Sequence, residues 1–191
     1  MILTRADTLT FDPRGQLSRV FVEGFYEWVK PFHKDKEILV QIFTHVFCPE
    51  YFYVALDGET VCAMAACTQG YSPIVLKREE FIKVLGFLRG NLMYFSLKRH
   101  IVRNEYPFTL SKNTGTIEFV ATEESHRNQG LAHKLLTHLI EQTPYDAYVL
   151  EVADLNKNAL KLYTKLGFKE MKRIKAAKNS GTDYFIYMRK S

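Results

Sequence analysis

The sequence predicts an α/β (α+β) fold in which helices flank a central sheet, and three observations lead there. A strand, a helix and a second strand succeed one another between Ile117 and Val152, the order that produces parallel pairing through a crossover. Two runs of β-branched, aromatic and small residues flank Asp57-Gly58, which signals an antiparallel hairpin. Ahead of that hairpin, two stretches repeat apolar residues at helical spacing.

Each element follows from its local pattern. After a turn at Asp12-Pro13-Arg14-Gly15, the residues Leu17, Val20, Phe21, Phe25 and Trp28 mark a first amphipathic helix ending by Pro31. Ile38, Leu39, Ile42, Phe43 and Val46 form the apolar stripe of a second helix over 37–47. Residues 51–56 and 60–68 are the hairpin strands. The interval 69–114 holds helical stretches at 79–88 and 92–101 and many aromatics, among them Phe81, Tyr94, Tyr106 and Phe108. Pattern alone does not assign it a role. Beyond it come a strand at 115–122 and a helix at 130–141 with Leu131, Leu135, Leu136, Leu139 and Ile140 inward. A strand at 148–152, a helix at 156–166 stopped by Gly167, and strands at 168–174 and 184–188 complete the chain.

Composition narrows the classes. A chain of 191 residues, 47% hydrophobic and 14% aromatic, is expected to form one folded domain over 1–191 rather than a disordered segment. No apolar run approaches the roughly 20 residues that span a bilayer, and the first residues lack a signal-peptide layout, so a cytoplasmic location without membrane contact is expected. The net charge of +5 is spread along the chain, which disfavours nucleic acid and is satisfied by a polyphosphate ligand. Cys48, Cys62 and Cys67 read as reduced core residues, Cys62 and Cys67 stand five apart without a nearby Cys or His partner, and no metal is expected. His126, His133 and His138 read as surface residues. The Ser125-His126 pair lacks an acid partner in the sequence.

The segment Arg127-Asn128-Gln129-Gly130-Leu131-Ala132 stands between a predicted strand and a predicted helix. Gly130 allows the backbone to approach a ligand, Ala132 leaves space, and the first helical N–H groups point outward at the positive end of the dipole. Such an arrangement binds phosphate, and Arg127 adds a charge. The alternative is an ordinary turn with a solvated arginine. Neither a Walker A sequence nor a full G-x-G-x-x-G is present, so nucleotide hydrolysis and dinucleotide binding are poorly supported.

With Arg127, Gly130 and Ala132 the segment resembles the [Arg/Gln]-x-x-Gly-x-[Gly/Ala] signature of the GNAT acyltransferase superfamily. A second stretch, with Asn156, Ala159, Tyr163, Gly167 and Phe168, resembles that family's Asn-x-x-Ala-x-x-x-Tyr-x-x-x-Gly-Phe helix, and the two stand in the family's order and separation. The resemblance implies a mixed, mostly antiparallel sheet with a splayed parallel pair, 117–122 beside 148–152. It implies that the backbone of Gln129, Gly130, Leu131 and Ala132 binds the CoA pyrophosphate and that the backbone at Val120 and Thr122 pairs with the pantetheine amides. Asn156 would contact the cofactor and Tyr163 would protonate the departing thiolate. Acetyl-CoA is the co-substrate so implied, and an amine of a small molecule or peptide is the acceptor. The resemblance implies only a short connection where 69–114 stands, so that interval counts as a helical insertion that caps an acceptor pocket, forms a homodimer interface, or only buries its own stripes.

The chemistry can be read beside the resemblance. Asn156 and Tyr163 are seven apart, hence on one helix face about 10 Å apart along the axis. Without the surrounding motif, Tyr163 would read as a core aromatic packed beside Leu160 and Leu166. An amine nucleophile must lose a proton, and Glu118 is the candidate base because strand alternation puts it on the face of Val120 and Thr122. Glu151 and ordered water are the rivals. A non-catalytic acyl-CoA-binding module is the second reading of the whole chain, separated from the first by Tyr163.

Overall fold

A computed structural model describes residues 1–100, 106–178 and 180–191. Its strands are β1 (Ile2–Arg5), β2 (Phe52–Asp57), β3 (Thr60–Thr68), β4 (Thr114–Thr122), β5 (Ala147–Ala153), β6 (Lys169–Lys175) and β7 (Tyr184–Lys190). Its α-helices are α1 (Arg14–Gly24), α2 (Tyr26–Val29), α3 (Lys36–Phe43), α4 (Arg78–Leu85), α5 (Phe87–His100), α6 (Leu131–Gln142) and α7 (Lys157–Lys165). The strands form one seven-stranded sheet in the order β1-β2-β3-β4-β5-β7-β6, and every pair is antiparallel except β4 with β5.

Local chemistry explains where the elements start and stop. Asp35 caps α3 by accepting from the N–H groups of Glu37 at 2.8 Å and Ile38 at 3.3 Å. Asn156 caps α7 through Oδ1, which accepts from Ala159 N at 3.1 Å, and Gly167 at φ 90° lets the chain leave that helix. The first helix is shorter than its apolar repeat suggests. It ends at Gly24, and Phe25 at φ −119° separates it from the single turn of α2. The interval 69–114 carries α4 and α5, and the expected stretch at 92–101 runs up to His100, with Ile101 outside the described residues. Phe81, Met93 and Leu97 are buried there, while Leu88, Leu92 and Phe95 face outward. Strand β1 escaped the sequence reading, because four half-exposed residues at a sheet edge carry too little alternation to register.

Two apolar clusters sandwich the sheet. One joins α1, α3, α4 and α5 to Val54, Met64, Ala66 and Ala121; the other joins α6 and α7 to Ala63, Ala65, Ile117, Leu150 and Met188. Helix α6 buries Leu131, Leu135, Leu136 and Leu139, the stripe its sequence spacing promised. Among the described residues no helix is long and apolar enough to cross a membrane.

Candidate functional site

The parallel pair opens in its middle. Pairing of β4 with β5 runs from Thr114↔Ala147 to Ile117↔Leu150 and stops, although β4 continues to Thr122 and β5 to Ala153. Beyond the split, β4 still pairs with β3 and β5 with β7, so the facing edges lack a sheet partner. Unpaired strand edges offer N–H and C=O groups to an extended ligand, as a bound peptide-like arm would use them.

A bulge in β4 coincides with the split. Between the pairs Met64↔Ala121 and Ala66↔Glu118, β4 takes three steps where β3 takes two, and Phe119 sits at φ 53°. An L residue in that region costs on the order of 1–2 kcal/mol. The Phe119 ring is held at 5.9 Å from Phe21 and 6.2 Å from Phe52. Helix α1 presses on the same place: a Cβ added to Gly24 would lie 2.8 Å from that of Ala121.

The bulge corrects one expectation. Simple alternation puts Glu118 on the face of Val120 and Thr122. Instead Glu118 pairs with Ala66, on the α1 side, whereas Thr122 pairs with Ala63 and Val120 packs with the α6 side. The extra residue reverses the alternation, so Glu118 lies across the sheet from Val120 and Thr122.

At the α6 end, Asn128 at φ 61° and Gly130 at φ 73° turn the chain into the helix. The first intrahelical bond runs from Lys134 N to Gly130 O, so the N–H groups of Leu131, Ala132 and His133 have no partner within the helix. No atom lies within 4 Å of a Cβ placed on Gly130, so the surface above it is open. Gln129 Nε2 donates to Ser125 O at 3.0 Å and stiffens the turn. Arg127, the expected phosphate partner, donates from Nε to Thr122 O at 3.1 Å, and its half-exposed guanidinium has Nη2 3.9 Å from Glu23. The guanidinium braces the loop against β4 and α1, and also takes the Thr122 carbonyl.

On the opposite face, Glu118 and Glu151 occupy the positions immediately past the last parallel pair. Tyr106 donates to Glu118 Oε1 at 3.2 Å. Burial raises the Glu118 carboxyl to about 7; the Tyr106 hydroxyl opposes this and the Glu151 charge reinforces it. Burial also raises Glu151, and the neighbouring Tyr187 hydroxyl opposes this. Glu151 keeps accessible surface. Tyr106, Phe108 and Tyr187 wall this region, with ring centroids 5.4–6.1 Å apart.

Tyr163 lies on the α6–α7 side, 6% exposed and edge-on to Phe168 at 6.1 Å. Burial alone pushes its hydroxyl upward from 10, so it stays protonated at neutral pH. No fully buried side-chain N or O lacks a partner among the described residues, and desolvation is the single influence on this phenol, so its hydroxyl reaches accessible space. Asn156 is exposed, with Oδ1 committed to the cap. The split thus has Glu118 and Glu151 on one face of the sheet and Tyr163, Val120 and the α6 N-terminus on the other.

Sequence reasoning missed a convergence nearby. Cys62, Glu123 and His126 present ligand atoms within 4.8 Å of one another, so Cys62 does have a histidine beside it. His126 Nε2 also lies 3.7 Å from Asp57, the acid that the linear reading of Ser125-His126 did not find. These residues meet because β2, β3 and the end of β4 terminate together, which no spacing in the chain announces. Tyr187 was likewise read only as part of a strand; its alternation signalled a buried face but not Glu151 as neighbour.

A mixed sheet split between its parallel strands, with a helix that starts on free N–H groups shortly after β4 ends, is the arrangement of the GNAT fold. The chain belongs to the GNAT acetyltransferase family, whose model matches residues 17–168. No curated protein sequence matches it. Its structure is similar to an N-acetyltransferase from Staphylococcus aureus Mu50, at TM-score 0.63 and 17% identity, covering 99% of this chain and 100% of that one. It is also similar to the ribosomal-protein-S18-alanine N-acetyltransferase of Escherichia coli, at TM-score 0.55 and 14% identity, over 98% and 91% of the two chains. A chain of the NatC complex bound to Gag peptide and CoA is similar at TM-score 0.57 and 16% identity, over 98% and 96%. At these identities the likeness is one of fold. The family transfers acetyl groups from acetyl-CoA, and this chain is a family acetyltransferase in that general sense.

Proposed function

We propose that the protein moves an acetyl or other short acyl group from acyl-CoA to a primary amine by direct attack in a ternary complex. The observation that carries this reading is the split beyond Ile117↔Leu150, with free helix N–H groups on one side of the sheet and a carboxylate of raised pKa on the other. The N–H groups of Gln129 to Ala132 receive the pyrophosphate, as a helix N-terminus does for any anion of that kind. The pantetheine arm lies along the open edge of β4 near Val120 and Thr122, and Asn156 meets the cofactor through its amide nitrogen. The thioester then sits in the split itself.

The amine nitrogen attacks the thioester carbonyl from the Glu118 side. The N–C bond forms, the C–S bond breaks, the amine proton passes to Glu118, and the CoA sulfur takes the Tyr163 proton. A base of pKa about 7 is half ionised at neutral pH, and a phenol held above 10 is fully protonated there, so each group is in the required state. The acceptor enters over Tyr106 and Phe108, which makes the end of the helical insertion at 69–114 part of its wall. The whole of 1–191 acts as one domain working in the cytoplasm.

Thiol release from acetyl-CoA across a panel of primary amines tests this reading. Amine-dependent release that disappears with Tyr163→Phe supports it. Tight CoA binding with no release on any amine, peptide N-termini included, makes the chain an acyl-CoA-binding module instead.

A further inference from the structure

Resting on the acyltransferase reading, we propose that the acceptor is a small aliphatic diamine or polyamine, its reacting nitrogen beside Glu118 and a second, charged nitrogen held by Glu151. Three observations lead there. First, the two glutamates are adjacent across β4 and β5 at the apex of the split and share the face away from α6, since Glu118 pairs with Ala66 and Glu151 pairs with Tyr187. Second, each carboxylate has a phenol beside it, and among the described residues no basic side chain offsets either charge: Tyr106 donates to Glu118, and Tyr187 stands opposite Glu151 in the β5–β7 register and lowers its proton affinity. Lys172, which stands against this wall, donates to Pro107 O at 2.8 Å and lies 5.9 Å from the Phe108 ring centroid. Third, Tyr106, Phe108 and Tyr187 form an aromatic wall beside the pair.

Two neighbouring carboxylates repel one another, and Glu151 already raises the proton affinity of Glu118. A ligand with one positive charge relieves one of them; a ligand with two relieves both. Aromatic faces favour alkylammonium groups and accept the methylenes between them. Adjacent strands lie about 4.8 Å apart and diverge past the last pair, so carboxylates on the two flanks suit nitrogens a few methylenes apart. The chain as a whole carries +5, so this acidic pair is a local feature rather than a reflection of overall charge. One glutamate serves proton removal, and the other supplies selection for the remote nitrogen.

The test compares putrescine with butylamine, which have equal carbon chains and differ in the second nitrogen. Thiol release is measured in the wild-type protein and in Glu151→Gln, and calorimetry measures binding of both amines to the CoA complex. The expected result is a kcat/KM at least about tenfold higher for putrescine, expressed in KM, since a charge-assisted contact of this kind is worth about one order of magnitude. That ratio collapses toward one in Glu151→Gln, and the calorimetric preference collapses with it. Equal kcat/KM for the two amines in the wild-type protein overturns the diamine proposal and leaves the acyltransferase reading standing. So does a preference that survives Glu151→Gln, or a neutral tripeptide amine used better than putrescine. Preferential putrescine binding that depends on Glu151, without thiol release, upholds the diamine site and removes the acyltransferase reading. Neither binding nor release overturns both.

Discussion

Replacing Glu118 by Gln separates the cost of burying a carboxylate from its use as a base. The folded protein raises this carboxyl from 4.5 to about 7, chiefly by burial. Because the folded pKa is the higher one, the group favours folding below pH 4.5 and that contribution is lost as pH rises toward 7. At roughly 1.4 kcal/mol per tenfold change in proton affinity, the ionised carboxylate costs the fold about 3 kcal/mol at pH 8 and under about 1 kcal/mol at pH 5. Glutamine keeps the shape and an acceptor for Tyr106 without the charge. Glu118→Gln is therefore expected to melt roughly 6–12 °C higher than the wild-type protein at pH 8 and within a few degrees of it at pH 5. Its turnover at pH 8 should fall by about a hundredfold, and the acidic limb near pH 7 should vanish from the kcat/KM profile. Differential scanning calorimetry at the two pH values and a pH–rate profile measure these effects. A melting difference that does not depend on pH refutes the burial argument, and a retained acidic limb removes Glu118 as the base in favour of Glu151 or water.

The remaining predictions concern its neighbours and the loop. Tyr106→Phe deletes the hydrogen bond that favours ionised Glu118, so the acidic limb should move to higher pH; Glu151→Gln deletes a repelling charge, so the limb should move lower. Both shifts are read from kcat/KM profiles, and movement in the same direction would contradict the geometry. Tyr163→Phe should cut turnover by about a hundredfold with CoA affinity nearly unchanged, since the hydroxyl does not serve the pyrophosphate end; stopped assays and calorimetry decide it. Gly130→Ala meets open space but must hold φ 73°, so a loss of about 1 kcal/mol in stability and weaker CoA binding are expected, checked by thermal melts and by titration.

Much of the architecture was legible because it rests on local periodicity. The stripe Leu131, Leu135, Leu136 and Leu139 is readable as a buried helix face from its spacing, and the cap and stop of α7 at Asn156 and Gly167 are written in residue types. The crossover from 117 to 152 required a parallel pair, which β4 and β5 supply. The face of Glu118 was not legible. Period-two reasoning assumes an uninterrupted strand, and one extra residue at Phe119 reverses every later position. A phenylalanine at positive φ is stabilised by aromatic neighbours distant in sequence, Phe21 and Phe52, so nothing local marks it.

By itself, then, the sequence determined most of the helices and strands, the glycine turn that opens α6, and the class of fold that holds them. These depend on contacts within a turn or two of the chain, and the residue types record them. The tertiary structure alone decided that Glu118 and Glu151 share one face of the sheet on the two sides of the split, that Tyr106 and Tyr187 attend them, and that Arg127 braces its own loop. Those relations join positions tens of residues apart through one bulge and one gap in a sheet, and the hydrogen-bonding geometry that creates a gap has no counterpart in linear spacing.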